Sequence, residues 1–378
     1  MILFEFGPHG SLALFDRARQ TLVAERADQV VPVLRAADAA RAKGHWVAGV
    51  ISYEAGYALE PRLHCLMPAT VTPLMVLGVY DGPKEGTAAL AAAYPTRAHL
   101  TPLRLGVARQ AYSAAFDRVK SYIGAGDCYQ INLTFPLHSR LTAGSALDLY
   151  AALRARQTVG YGAVLDIGHG PAIVSRSPEL FLRLDATGRV EARPMKGTAP
   201  RDPDPVADAE LAANLRESEK ARAENLMIVD LLRNDIARIS RIGSVRVPEL
   251  FAVDSFATLH QMSSRITGQL AAPASMLNTM TALFPCGSIT GAPKIRAMQI
   301  IREVEPTPRG AYCGAIGWMA PDGSAAFSVA IRTLSVFANG DVTLNVGGGV
   351  VQDSTEDGEW EEALWKARYV TGLSRGFA

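Results

Sequence analysis

Apolar positions along the chain fall mostly into short runs punctuated by Gly, Pro, Asn and Asp, and helical spacing is confined to a few longer segments. The short runs are Trp46 to Tyr53, Leu74 to Val79, Cys128 to Leu137, Tyr161 to Asp166, Ala172 to Ser175, Leu180 to Leu184, Ala311 to Met319, Ala325 to Phe337 and Val342 to Val346. Each predicts a strand. Apolar residues three and four apart predict helices over Ala108 to Gly124, Ser145 to Arg156 and a long Ala-, Leu- and Glu-rich stretch, Asp204 to Arg238. Pro293 opens another, since proline is tolerated in a first helical turn, and Thr355 to Leu373 forms the last. Strands this closely spaced, with few crossover helices between them, exclude a doubly wound parallel sheet and predict an α+β protein with large antiparallel sheets.

The loosest connection is Asp81 to Pro102, with Gly82, Pro83, Gly86, Pro95 and Pro102. It divides a short N-terminal region, residues 1–100, expected to pack on the core, from a larger domain, 101–378. The chain has 378 residues, 48% of them apolar and 20% charged, which suits a globular protein and excludes disorder or a fibrous repeat. Its formal net charge of +1 offers no electrostatic case for nucleic acid. From Ile266 to Pro293 run 28 residues without Asp, Glu, Lys or Arg, long enough to raise the question of a membrane span. Pro273, Pro285 and Pro293 with Asn278 would break a lipid-facing helix, so burial is the expectation, and no membrane. The start has no basic n-region and meets Glu5 early, unlike a secretory signal, which predicts a cytoplasmic location.

Four cysteines, Cys65, Cys128, Cys286 and Cys313, form no C-x-x-C pair and predict reduced thiols, not a zinc site or disulfide framework. None stands in a G-x-C-x-G turn resembling the nucleophile turn of class I glutamine amidotransferases, so ammonia, if used, must come from elsewhere. The loop GSITGAPK, Gly287 to Lys294, leads into a helix and could hold an anion on its amides and on the Ser288 and Thr290 hydroxyls. It is not a Walker A loop, because Ala292 and Pro293 separate Gly291 from Lys294. A capped helix after a buried loop explains it equally well.

Carboxylates form a second set. Glu217 and Glu224 are seven apart and share a face of the long predicted helix, and Glu359, Glu362 and Lys366 share a face of the last one. Hard carboxylates from separate helices, without His or Cys, suit magnesium. Glu362 and Lys366 also have the spacing of a surface ion pair. In RPMKGTAPR, Arg193 to Arg201, Lys196 sits beside apolar Met195, where burial could depress its pKa and make it a nucleophile; a solvated loop lysine is the alternative. In NVGGGV, Gly347, Gly348 and Gly349 follow a strand, where bare amides could approach a carboxylate or the chain could bend sharply.

These segments, with GDCYQINLTFPL, SRSPELFLR, RAENLMIVDLLRNDIARI, AYCGAIGW and FSVAIRTL, resemble the chorismate-utilising enzymes, the family of anthranilate, isochorismate, salicylate and aminodeoxychorismate synthases. The resemblance runs from about Tyr112 to Tyr369. It implies a four-layer α/β/β/α sandwich of two antiparallel sheets with chorismate bound between them, and makes 101–378 the chorismate-binding catalytic domain. Lys196 in P-x-K-G-T resembles the p-aminobenzoate branch, which feeds folate biosynthesis; sequences similar to anthranilate synthase component I carry Ala there. That enzyme is the alternative reading, and a noncatalytic chorismate-binding regulatory subunit is the alternative of another class.

What the resemblance implies for single residues follows from the matching motifs. Lys196 would attack ring carbon 2 of chorismate and expel the 4-hydroxyl, after which ammonia adds at carbon 4. Glu179 of SRSPEL would be the general acid for the departing hydroxyl, with a raised pKa. His260 of TLHQM and Ser288 would line the reacting ring; on its own His260 reads as a core histidine. Glu224 and Glu362 would be Mg2+ ligands, with Glu359 beside them. Arg332 and Tyr312 would hold the enolpyruvyl carboxylate, aided by the amides of Gly347, Gly348 and Gly349, with Gly197, Thr198 and Lys366 also at the substrate. The partners implied are a glutamine amidotransferase subunit supplying ammonia and a separate aminodeoxychorismate lyase downstream. An L-L-E-S type segment is absent, so tryptophan control is not expected.

Overall fold

The computed structural model describes residues 1–256, 259–374, 376 and 377. Among them, two sheets of eleven and ten strands are built entirely from antiparallel pairs. The first sheet runs from Gly291–Ala292 through Gln130–Ala143, Asp341–Val350, Thr333–Val336, Ala172–Ser177, Tyr161–Leu165, Ile2–Phe4 and Ala13–Phe15 to Lys84–Glu85. The second runs from Met195–Pro200 through Leu259–Gln269, Arg189–Arg193, Leu180–Leu184, Ala325–Val329, Ala315–Met319, Trp46–Ile51 and Met75–Tyr80 to Gln20–Ala24.

Why the strands read as continuous apolar runs is clear from where successive side chains go. In Ile2–Phe4, Ile2 and Phe4 enter a cluster with Phe15, Tyr80, Val50 and Trp318 between the sheets, while Leu3 faces the helix-side core. Trp46–Ile51 alternates likewise, Ala48 and Val50 inward between the sheets and Val47 and Ile51 outward under helix Ala27–Ala42. Both faces are covered, so there is no polar face to produce a simple alternation. Helices Ala27–Ala42 and Glu219–Ala237 cover the second sheet, and Ala146–Arg156 and Glu356–Trp365 the first, giving the four-layer sandwich. The first hundred residues supply strands to both sheets, and their apolar side chains share cores with those of later strands. The uncharged stretch supplies the largely buried helix Met276–Leu283, and no helix among the described residues is long and apolar enough to cross a membrane.

Several predicted elements are divided or extended. The long helix is two, Pro205–Glu217 and Glu219–Ala237, because Ser218 leaves helical geometry (ψ 110°) and its hydroxyl caps the second helix by accepting from the Ala221 amide. Glu217 and Glu224 therefore share no helix face; Glu217 pairs with Arg222 at the surface. Pro293 is the extended residue that precedes Lys294–Val304, not its first turn. The last helix is Glu356–Trp365 followed by Arg368–Ser374. The strand predicted from Ala311 begins at Ala315, and the run to Phe337 is two strands in different sheets, Ala325–Val329 and Thr333–Val336. Gly347 to Gly349 lie within Asp341–Val350, in register with Thr134, Leu133 and Asn132, so the chain does not bend there.

Candidate active site

Two of the chain's passages from one sheet to the other lie side by side. Ala172–Ser177 of the first sheet leads through Pro178 and Glu179 to Leu180–Leu184 of the second; Ala325–Val329 returns through Ala330 to Arg332 to Thr333–Val336. The Ser177 hydroxyl donates to the Val329 carbonyl at 2.6 Å, the Val329 amide to the Glu179 carbonyl at 3.1 Å, and the Arg176 amide to the Arg332 carbonyl at 3.0 Å. Arg332 takes φ +52°, an uncommon conformation for a residue with a side chain, to make the turn. The crossings thus deliver a carboxyl and a guanidinium to one cavity of about 700 Å³. Lys196, Gly197 and Thr198 reach it from Met195–Pro200, Ser288 from the loop 287–289, Tyr312 from the segment before Ala315, and Gly347 and Gly349 from Asp341–Val350. Glu224 comes from Glu219–Ala237, Glu359 and Glu362 from Glu356–Trp365, and Lys366 from that helix's end.

Glu179 is buried, Lys196, Arg332, Glu224 and Glu359 are half-buried on the cavity wall, and Glu362 and Lys366 stand more open and pair with each other. Among the described residues Lys196 Nζ and the Arg332 guanidinium make no hydrogen bond or ion pair. Burial holds the Lys196 amine below its usual range; Glu224, Glu179 and Glu362 oppose that, and Lys366 adds to it. Burial lowers the Arg332 pKa as well, and raises that of Tyr312 well above its ordinary value. Glu179 is 4% exposed, its Oε1 has no partner, and burial pushes its carboxyl to about 7 against the pull of the Ser288 hydroxyl and Lys196.

On the acidic helix, Glu359 Oε1 accepts from the Ser354 hydroxyl at 2.6 Å, while Oε2 is buried without a partner. Burial raises the Glu359 pKa. For Glu362 burial pushes the same way, but Lys366 at 2.6 Å, with Lys196 and Lys220, brings the carboxyl below its ordinary value. Lys366 also donates to the Gly347 carbonyl at 2.8 Å. The glycines explain themselves by what a side chain would strike. A Cβ at Gly348 would lie 2.5 Å from Glu359 Oε2, at Gly347 2.2 Å from the Leu133 carbonyl, and at Gly349 3.1 Å from Lys196 Nζ. Glycine lets strand, acidic helix and lysine approach one another.

The structure does not bring every predicted residue to the cavity. His260 is buried with its ring held between the Ser255 hydroxyl at Nδ1, 2.8 Å, and the Asp208 carboxylate at Nε2, 2.9 Å; its strand neighbours Leu259 and Gln261 line the cavity instead. Period-two alternation on Leu259–Gln269 puts the ring on the other face. Gly348 faces the acidic helix, not the open volume. Among the described residues no three His, Cys, Asp or Glu side chains close on a common point. Asn132, Gln261 and Asn345 line the cavity and were not singled out from sequence; Gln261 donates to the Gly197 carbonyl at 2.6 Å. Gln130, fully buried with neither amide atom partnered, lies against Gly349. Its signal was a polar side chain inside an apolar run.

A cavity with an unpaired amine, an unpaired guanidinium, a protonatable carboxyl and a carboxylate pair can bind a polyanion, attack it and protonate a leaving group. Comparison with known proteins bears on which one. A family model described as chorismate binding enzyme matches residues 83–372. Aminodeoxychorismate synthase component 1 of Escherichia coli (strain K12) is 44% identical over 262 residues, which is 69% of this chain and 57% of that protein. Anthranilate synthase component 1 of Streptomyces coelicolor is 43% identical over 256 residues, 66% of this chain and 48% of that protein. The solved structure of anthranilate synthase component I from Streptococcus pneumoniae TIGR4 superposes with a TM-score of 0.81 at 25% identity, covering 96% of this chain and 92% of that one. The chain thus spans less than two thirds of the length of the curated relatives it matches.

Proposed function

This chain belongs to the chorismate binding enzymes, and from that premise we propose that it aminates chorismate to 4-amino-4-deoxychorismate, the step toward p-aminobenzoate and folate. The observation that carries this reading is Lys196: a half-buried, unpartnered amine of depressed pKa on the cavity wall, near Glu179. A lysine whose surroundings disfavour the charged form is a better nucleophile than a solvated one. Its lone pair attacks ring carbon 2, the ring double bonds shift, and the bond from carbon 4 to its hydroxyl breaks. Glu179, its carboxyl pushed up to about 7 by burial, gives the departing oxygen its proton and water leaves. Ammonia then adds at carbon 4, electrons return, and the bond to Lys196 breaks. Net, chorismate and ammonia become the amino product and water. Holding carbon 2 on the enzyme directs ammonia to carbon 4, which separates this outcome from the ortho product anthranilate.

Arg332 and Tyr312, which line the cavity, would take one substrate carboxylate, a planar anion that suits a guanidinium, with Ser288, Gly197 and Thr198 along the ring. The unpartnered Glu359 Oε2 and the Glu362 carboxylate beside it are hard oxygen donors that suit a divalent cation. Glu359 and Glu362, with Glu224 from another helix, would hold magnesium, which supplies neutralisation of the substrate's second carboxylate. Ammonia would come from a separate glutamine amidotransferase, a cytoplasmic setting fits such a pair, and aminodeoxychorismate lyase would act next.

Incubation of the purified chain with chorismate, magnesium and excess ammonium at alkaline pH, with and without aminodeoxychorismate lyase, tests this. The expected product is 4-amino-4-deoxychorismate, converted to p-aminobenzoate only when lyase is present. Anthranilate would sink the reading, and binding without turnover would make the chain a regulatory subunit.

A further inference from the structure

Behind the cavity the fold buries a second set of charges centred on Arg309, which is 5% exposed. Its Nε and Nη2 form a two-point pair with Glu305 at 2.8 and 2.7 Å. Nη1 donates to the Ile289 carbonyl at 2.9 Å and Nη2 to the Asn132 carbonyl at 2.6 Å. The Glu54 carboxylate, 2% exposed, accepts from two successive amides, Arg309 at 2.6 Å and Gly310 at 3.0 Å, while the Tyr53 amide donates back to the Gly310 carbonyl at 2.8 Å. The guanidinium also lies 4.5 Å over the Tyr53 ring.

The groups held this way are the cavity's own wall. Asn132 and Ile289 line it, Ser288 adjoins Ile289, and Tyr312 follows the clamped turn by two residues. Asn345, another lining residue, donates to the Arg309 carbonyl at 3.3 Å. A planar fork fixes two carbonyls from different segments at a set angle, which a flexible ammonium would not. Tyr53 and Glu54 lie outside the residues matched by the family model, 83–372.

We propose that Glu54, acting with Arg309, is a positioning residue for the active-site cavity, through which the N-terminal region fixes the segments carrying Asn132, Ser288 and Tyr312. It touches no substrate. Displacing such segments by a fraction of an ångström misaligns reacting groups, at a cost on the order of tenfold or more in rate.

The kinetic arm of the test rests on the chorismate reading, and the labelling arm does not. Cys286 is buried 3.2 Å from Ser288, and its thiol is pushed up to about 12, so the intact loop should shield it from N-ethylmaleimide, whereas exposed Cys65 reacts freely. Glu54→Gln and Arg309→Lys should each raise Cys286 labelling relative to Cys65 by at least about tenfold and raise KM for chorismate about tenfold with a smaller fall in kcat, while the far-UV spectrum is unchanged. A labelling ratio within twofold of wild type in Glu54→Gln, or unchanged KM and kcat in an enzyme that turns chorismate over, would overturn the proposal. Wild-type hydrogen exchange guards against a variant that fails to fold: the Arg309 and Gly310 amides should be strongly protected, and exchange as fast as in the exposed loop around Val71 would also overturn it.

Discussion

Arg309 is a buried guanidinium and Arg332 a half-buried one on the cavity wall, and the fold treats them in opposite ways. All three guanidinium nitrogens of Arg309 donate, to Glu305 and to two carbonyls, and burial is answered by charge and geometry. Arg332 has no such partner among the described residues and sits on a positive φ. The same holds for the groups around each. Glu54 and Glu305 have their oxygens filled by amides, a hydroxyl and the guanidinium, whereas Glu179 Oε1 and Glu359 Oε2 are buried empty and Lys196 is unpaired. Burying an unpaired charge costs several kcal/mol, so a stable fold keeps such groups only where something else will partner them. The satisfied network holds the cavity, and the unsatisfied one waits for a ligand.

The sharpest way to break this contrast is at Lys196. Lys196→Ala should lower amination of chorismate by on the order of a thousandfold or more, while thermal melting shows a midpoint no lower than wild type, because a half-buried unpaired amine has been removed. A fall in Tm would put Lys196 with the satisfied set. Next come the two arginines as a matched pair. Arg309→Met should cost about 3–5 kcal/mol in urea unfolding, since it strands Glu305 and two carbonyls. Arg332→Met should leave urea stability within about 1 kcal/mol of wild type yet weaken chorismate binding by calorimetry some ten- to hundredfold. Equal stability losses would erase the distinction.

Acidity cuts across that contrast. Glu179 and Glu54 are both pushed from 4.5 to about 7 by burial, so between those values the native state keeps protons that the unfolded chain releases. Stability from this source is full below about pH 4.5 and falls as pH rises toward 7. Glu179→Gln should flatten part of that fall in urea midpoints taken across this range; an unchanged slope would mean that Glu179 is not protonated in the free protein. The smallest effect is expected at the exposed rim of the cavity. Lys220, mostly exposed and 4.0 Å from Glu224, should change stability by no more than about 0.5 kcal/mol on substitution by Ala.

How much of this could be read from sequence depended on what each residue answers to. The strands were legible because both sheet faces are covered, which writes apolar residues at consecutive positions. The crossing at Ala330 to Arg332 was not, because Val-Ala-Ile-Arg-Thr reads as uninterrupted strand and only the positive φ at Arg332 divides it. The helix break at Ser218 was equally hidden, since serine serves as a cap or an interior residue according to its surroundings. Lys196, Glu179, Glu224, Glu359, Glu362 and Arg332 were found through motifs and do share one cavity. His260 was placed by motif on the wrong side of its strand, a matter of register that Asp208 and Ser255, distant or ordinary in sequence, decide. The Arg309 network escaped notice because its partners, Glu54, Asn132, Ile289 and Glu305, come from four separate stretches of chain.

The account turns on Lys196 being held unpartnered so that it can bond to substrate. Incubating the protein with chorismate and magnesium in the absence of ammonia, then taking intact and peptide masses, measures this most directly. The account predicts an adduct with the mass of chorismate less one water, on the peptide that contains Lys196 and absent from Lys196→Ala. Unmodified protein in the presence of bound chorismate, or an adduct on another residue, would contradict it.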